Sequence, residues 1–214
     1  MTPIRYLLGI DVESTGGCLK TNFMPRFGAA LVDIETLETV QRFSTFVKPP
    51  TPAHTWEKRC LDEFWTKPDM MPKYQEILHN MNCVTTPTPD EAGVLFMEWI
   101  NILVGKYGQD SMMVVSDTAG YDYAWLQSIL PAGMSMLYLF GHYVPTFAAS
   151  NFYGGVAMVT PVEQVFGTME ACCNKLSIQK PTNGVVHDHN PMNDAETIAY
   201  EAASIIRHVS SLRN

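Results

Sequence analysis

The chain has 214 residues, 46% of them hydrophobic and 17% charged, with a net charge of −8. That length and balance suit a single domain, 1–214, with a substantial core, and exclude a disordered or low-complexity chain. The acidity excludes a protein that grips long nucleic acid by neutralising many phosphates, although carboxylates holding divalent cations can still meet a phosphodiester through those cations.

In chain order, Arg5–Asp11 reads as a buried strand that ends on an acid. Phe27–Ile34 and Thr39–Val47 are two further strands, and the short Glu35–Glu38 link makes them a hairpin. Three strands in a row start the sheet antiparallel. Residues 49–89 are rich in proline and aromatics, with short helical pieces expected around Glu57–Phe64 and Lys73–His79.

Thr88-Pro89-Asp90-Glu91 then supplies an N-cap threonine, a proline at the first helical position and a glutamate three residues after the cap. Apolar residues recur at Val94, Met97, Ile100, Ile102 and Val104, and Gly105 or Gly108 marks the helix end. Met112–Val115 is a short buried strand, and a helix over Tyr121–Leu130 is entered through Gly120. A middle rich in glycine and aromatics shows poor periodicity. Asn190-Pro191 opens the last helix, whose apolar face runs through Met192, Ala195, Ile198, Ala199, Ala202, Ile205, Ile206 and Val209. Strands first, then alternating helices and strands, predict a mixed sheet with helices on its faces.

Three short segments carry acids of chemical interest. In Asp11-Val12-Glu13 the two-residue period of a strand places both carboxylates on one face. They repel unless a cation lies between them, and all-oxygen ligation suits Mg²⁺ or Mn²⁺. A D-x-E triplet is common by chance, so alone it carries little. Asp122 follows a buried strand at the start of a helix, where the helix dipole by itself favours an acid. In His189-Asn190-Pro191-Met192-Asn193-Asp194 the cap and the proline put Asp194 near the first turn and His189 just before it, so both side chains can approach one point. His187 and Asp188 read as loop polarity. The pattern His187-Asp188-His189 also hints at zinc, but no cysteine or third histidine stands at suitable spacing.

Together, in this order, the segments resemble the DEDDh exonuclease family, which includes ribonuclease T, oligoribonuclease and the proofreading domains of DNA polymerases. The matching residues are Asp11-Val12-Glu13-Ser14-Thr15-Gly16, then Gly120-Tyr121-Asp122, then His189 and Asp194. The resemblance implies a ribonuclease H-like α/β fold, a mixed five-stranded sheet flanked by helices on both faces. It also implies a 3′-to-5′ exonuclease using two Mg²⁺ or Mn²⁺ ions about 3.5–4 Å apart. In that scheme Asp11, Glu13 and Asp194 hold one ion, Asp11 bridges to the second, and Asp122 acts through a water. His189 takes the proton from the attacking water, and Thr15 bonds the terminal nucleotide through its backbone. Proofreading domains carry asparagine four residues before the second-motif aspartate, where this chain has Thr118; Asp117, five before, resembles oligoribonuclease-like spacing and favours RNA.

Phe64 and Trp65 are candidates to stack on the last bases, with an ordinary core role as the other reading. The expected partners are single-stranded RNA or DNA 3′ ends, with a homodimer left open. A rival reading is a non-catalytic ribonuclease H-like module that binds nucleic acid or protein, for which one or more of the five site residues should be missing. Another is a phosphoesterase acting on mononucleotides or capped ends. Five cysteines without a C-x-x-C pair, no leader-like N-terminus and no apolar stretch of spanning length lead to the expectation of a cytoplasmic protein with no membrane contact.

Overall fold

A computed structural model describes residues 4–116, 119–134, 173–174, 177–178 and 187–211. Strand β1 (Tyr6–Glu13) is buried along almost its whole length because it lies inside the sheet, covered on both faces. The order is β3 (Thr39–Phe46), β2 (Arg26–Asp33), β1 and β4 (Met112–Val115). β2 runs antiparallel to both β1 and β3, and β4 pairs parallel with β1. Four strands stand among the described residues, and the expected fifth is not seen among them; Asp117 and Thr118, the Gly- and aromatic-rich middle and the side chain of Val209 lie outside the described residues. The β2–β3 hairpin forms as expected. Its turn is held by the Asp33 carboxylate, which accepts from the Glu35 amide at 2.8 Å.

One sheet face carries Leu8, Ile10 and Val12 from β1 with Phe27, Ala29 and Leu31 from β2. They pack against α3 (Pro89–Tyr107) and α4 (Ala119–Ile129) through Ala92, Phe96, Ile100, Leu103, Trp125, Leu126 and Ile129. Burying a side chain such as Phe96 contributes roughly 1.5–3 kcal/mol. α3 begins on the expected capping box, with the Glu91 carboxylate accepting from the Thr88 amide at 2.8 Å, and it ends at Gly108, whose φ is 82°. Its buried face differs from the expected one. Val94 and Ile102 are 46% and 66% exposed, while Gly93 is turned inward so that a Cβ there would stand 1.9 Å from the Ile129 carbonyl oxygen of α4.

The opposite face carries Leu7 and Val32 and is covered by α5 (Pro191–Ser211), which buries Ala195, Ile198, Ala199 and Ala202. Two glycines let the helix backbone lie directly on the sheet. A Cβ at Gly9 would stand 2.0 Å from the Ala195 carbonyl oxygen, and one at Gly28 would stand 2.3 Å from the Met192 nitrogen. Arg42 on β3 donates two 2.6 Å bonds to the carboxylate of Glu196, which fixes the first turns of α5 across the sheet.

Between β3 and α3 the chain makes a short helical turn, α1 (Lys58–Cys60), a π-helical turn (Leu61–Trp65) and α2 (Met71–Met81). Their aromatics build a satellite core around Trp65, Met70 and Ile77. No described helix is long and apolar enough to cross a membrane.

Candidate active site

Gly9 faces α5, so the period of two along β1 turns Asp11 and Glu13 toward the same helix, while Leu8, Ile10 and Val12 face α3 and α4. Asp11 pairs in register with Gly28, and the backbone of Pro191 and Met192 fills the space a side chain there would take. The start of α5 is thereby pressed against the strand position beside Asp11. Asn190 caps the helix, accepting from the Met192 amide at 3.3 Å, and Asp194 stands in its first turn. As a result one ligand oxygen from each of Asp11, Glu13 and Asp194 lies within 4.8 Å of the others. All three are nearly out of reach of solvent, at 9%, 7% and 1% exposure.

A carboxylate in so dry a space resists ionisation. Burial first, then repulsion from Asp194, pushes Glu13 up to about 8, against the pull of Lys73 and Arg26. Burial likewise pushes Asp194 up to about 6, although the Asp188 amide, donating to Asp194 Oδ1 at 2.8 Å, favours the charged form. A set of donors that is all oxygen, buried and mutually repelling fits a hard divalent cation of the Mg²⁺ or Mn²⁺ type.

Asp122 is 1% exposed in the first turn of α4, and the Ser116 hydroxyl donates to its carboxylate. It stands outside the group of three, yet its charge adds to the repulsion at Glu13. His189 precedes α5 in a left-handed conformation, φ 59°, that aims its ring back toward Asp194. Burial, then the neighbouring His187 and Lys73, hold its imidazole below the ordinary 6.5.

No family model matches the sequence, and no curated relative does. The likeness lies in three dimensions. Over 97% of this chain and 94% of the other, the nuclease domain of 3′hExo, a DEDDh family member solved with rAMP, superposes with a TM-score of 0.57 at 17% identity. The chain has the DEDDh exonuclease fold. Cell-death related nuclease 4 superposes with a TM-score of 0.55 at 18% identity, over 96% of this chain and 65% of that one. A 3′-exonuclease solved in recognition of the histone mRNA stem-loop gives 0.53 at 16%, over 97% and 84%. The ribonuclease H-like mixed sheet with helices on both faces follows from these likenesses.

Within the DEDDh fold two residues singled out from the sequence have other work. Thr15 is fully buried; its amide donates to the Phe23 carbonyl at 2.9 Å and its own carbonyl accepts from the Glu57 amide at 2.8 Å. No amide is left there for a nucleotide, so Thr15 secures the loop after β1. Trp65 is also fully buried, its indole N–H donating to the Ser14 carbonyl at 3.1 Å, and it packs edge-on against Trp56. It is core and offers no face to a base. Phe64 is half-buried, with its ring 5.0 Å from that of His189.

Other contributors carried no motif. Lys73 on α2 sits 3.3 Å from Asp188, close enough to temper Glu13 and Asp194, and Arg26 pairs in register with Glu13. Tyr121 reaches from α4 to the loop after β1, donating to the Gly16 carbonyl at 3.1 Å. Asp188 and His187 are more than loop polarity. Asp188 accepts from the Asn190 amide and the Asn193 side chain, both at 3.2 Å, and His187 Nε2 lies 3.6 Å from Asp194 Oδ2.

Proposed function

We propose that the protein is a metal-dependent 3′-to-5′ exonuclease acting on single-stranded 3′ ends, RNA in preference to DNA. The observation that carries this reading is the convergence of Asp11, Glu13 and Asp194 within 4.8 Å, with His189 beside Asp194. Asp11, Glu13 and Asp194 would hold the divalent ions, with Asp122 in support. When bound, such ions supply the Lewis acidity that offsets charge on the phosphate and on the leaving 3′-oxygen.

The remaining work falls to the chain itself. His189 accepts the proton of the attacking water, and its burial keeps the imidazole neutral near pH 7. Lys73 sets a positive charge beside the carboxylates, which eases the approach of a phosphodiester to an acidic protein. Phe64, half-buried next to His189, is placed to stack on the terminal base.

Two structural likenesses support RNA, one solved with rAMP and one with a histone mRNA stem-loop. The net charge of −8 leaves little grip on distant phosphates, so affinity comes from the metals and a few terminal nucleotides, and the enzyme releases its substrate between cuts. All five site positions are filled, which speaks against a binding module that has lost its chemistry. End-labelled RNA and DNA oligonucleotides, incubated with Mg²⁺, Mn²⁺ or chelator, test the reading. A metal-dependent ladder shortened from the 3′ end is expected, faster on RNA, and cleavage of a circular substrate would contradict it.

A further inference from the structure

We propose that His187, His189 and Asp194 form a second site, overlapping the nuclease centre at His189 and Asp194, for a transition-metal ion, zinc above all, whose occupancy silences that centre. One ligand atom from each of the three lies within 4.8 Å of the others. His187 Nε2 stands 3.6 Å from Asp194 Oδ2, and the two imidazole rings meet nearly at right angles, 81°, with centroids 5.4 Å apart. Rings so inclined can aim nitrogens at one point. Two imidazoles and one carboxylate with a fourth position open is a recurrent zinc ligand set. A tetrahedron with bonds of about 2.0–2.1 Å needs ligand atoms roughly 3.3–3.5 Å apart, so the widest pair must close by up to about 1.4 Å. The His187 side chain, 45% exposed, has the freedom to do so.

The surrounding loop is already shaped for this. The Asp188 amide is bonded to Asp194 Oδ1, and the Asp188 carboxylate holds Asn190 and Asn193, so the backbone between the two histidines is tied to the start of α5. Lys73 is paired with that same carboxylate, which offsets its repulsion of an incoming ion. Ligand chemistry separates the two sites. The group of Asp11, Glu13 and Asp194 offers oxygen alone and suits Mg²⁺, whereas imidazole nitrogen selects zinc and its neighbours in the transition series. The spacing of His187 and His189 in sequence lacked a third ligand; folding supplies it as Asp194, a residue the oxygen site also needs.

The silencing half rests on the proposed exonuclease reading. A zinc-ligated nitrogen of His189 has no lone pair left for a proton, and Asp194 is drawn away from the oxygen site. Zinc binding itself is independent of that reading.

The test uses the whole chain, stripped by chelator and then titrated with zinc against a chromogenic zinc indicator, for wild type, His187→Ala and the size-preserving His187→Asn. Thermal melts of the three verify that the exposed substitution leaves the fold intact. Wild type should bind one zinc in this site, and each variant should lose at least about tenfold in affinity, the minimum expected for removing a ligand when outer partners alone cost 10–100-fold. In excess Mg²⁺, with each protein's own zinc-free rate as its reference, the variants should need at least about tenfold more zinc for half-inhibition. Unchanged zinc affinity in both variants, or zinc inhibition equal to wild type, overturns the proposal. Zinc binding that depends on His187 in a protein that never cuts with Mg²⁺ keeps the site and refutes the exonuclease reading instead.

Discussion

Replacing Glu13 by glutamine should stabilise the metal-free protein, and by an amount that grows with pH. The folded Glu13 carboxyl is pushed up to about 8 from an ordinary 4.5, so between those values the folded chain holds a proton that the unfolded chain has released. The contribution of Glu13 to the stability of the metal-free wild type is therefore greatest below about pH 4.5 and falls as pH rises through about 8. At about 1.4 kcal/mol for each pH unit, the loss reaches roughly 3 kcal/mol at pH 7 and on the order of 5 kcal/mol above pH 8. Glutamine keeps the size and carries no charge in either state, so Glu13→Gln escapes the loss. In chelator at pH 7 it should melt roughly 6–12 °C above wild type, with the two converging near pH 4–5. Saturating Mg²⁺ should reverse the order, since only wild type gains from binding the ion fully. Melts in chelator and in Mg²⁺ from pH 5 to 9 provide the assay. A Glu13→Gln protein no more stable than wild type at pH 8 in chelator would refute the electrostatic account of the site.

Asp11→Ala and Asp194→Ala should abolish metal-dependent cutting while the fold survives, which gel assays and melts can check; activity persisting in either would sink the assignment of the oxygen site. His189→Ala should cost about 10²–10⁴ in rate, whereas His187→Ala in zinc-free Mg²⁺ should stay near wild type. Because the His189 imidazole is held below its ordinary 6.5, the wild-type rate under saturating metal should persist down to that pH and fall beneath it as the ring protonates. Gly28→Ala places a Cβ 2.3 Å from the Met192 nitrogen, so it should cost about 3 kcal/mol or more by denaturant titration. The same change should cost about 10²-fold in rate through displacement of Asp194.

How far the sequence could be read depended on whether a residue acts through local geometry. Asp11 and Glu13 share a face because strands alternate, and Asp194 sits in a first turn because Asn190 and Pro191 start a helix there; both are visible in a few letters. The inward face of α3 was not. That helix is apolar nearly all round, so Val94 and Ile102 look as buried as Phe96, and the decisive contact is the absence of a side chain at Gly93 against the Ile129 carbonyl. Trp65 could be read as a stacking platform until its indole was found bonded to Ser14 within the satellite core. Lys73 lies in an expected helical piece that carries no motif, and only the packing of α2 brings it to Asp188. His187 looked idle because its third partner comes from the helix and not from the loop that carries the two histidines.

The backbone contact of α5 with Gly9 and Gly28 has a consequence for the life of the chain. The oxygen site is divided between the first strand and the last described helix, and nothing holds Asp194 beside Asp11 until that helix has docked on the sheet. A chain that has emerged past β1 but not yet as far as His189 holds two of the three acids and, on the proposed reading, no histidine base. Fragments clipped before the helix are in the same state. On the proposed reading, cutting power would wait until Pro191–Ser211 has been made and docked, and a copy clipped before that helix would lack it.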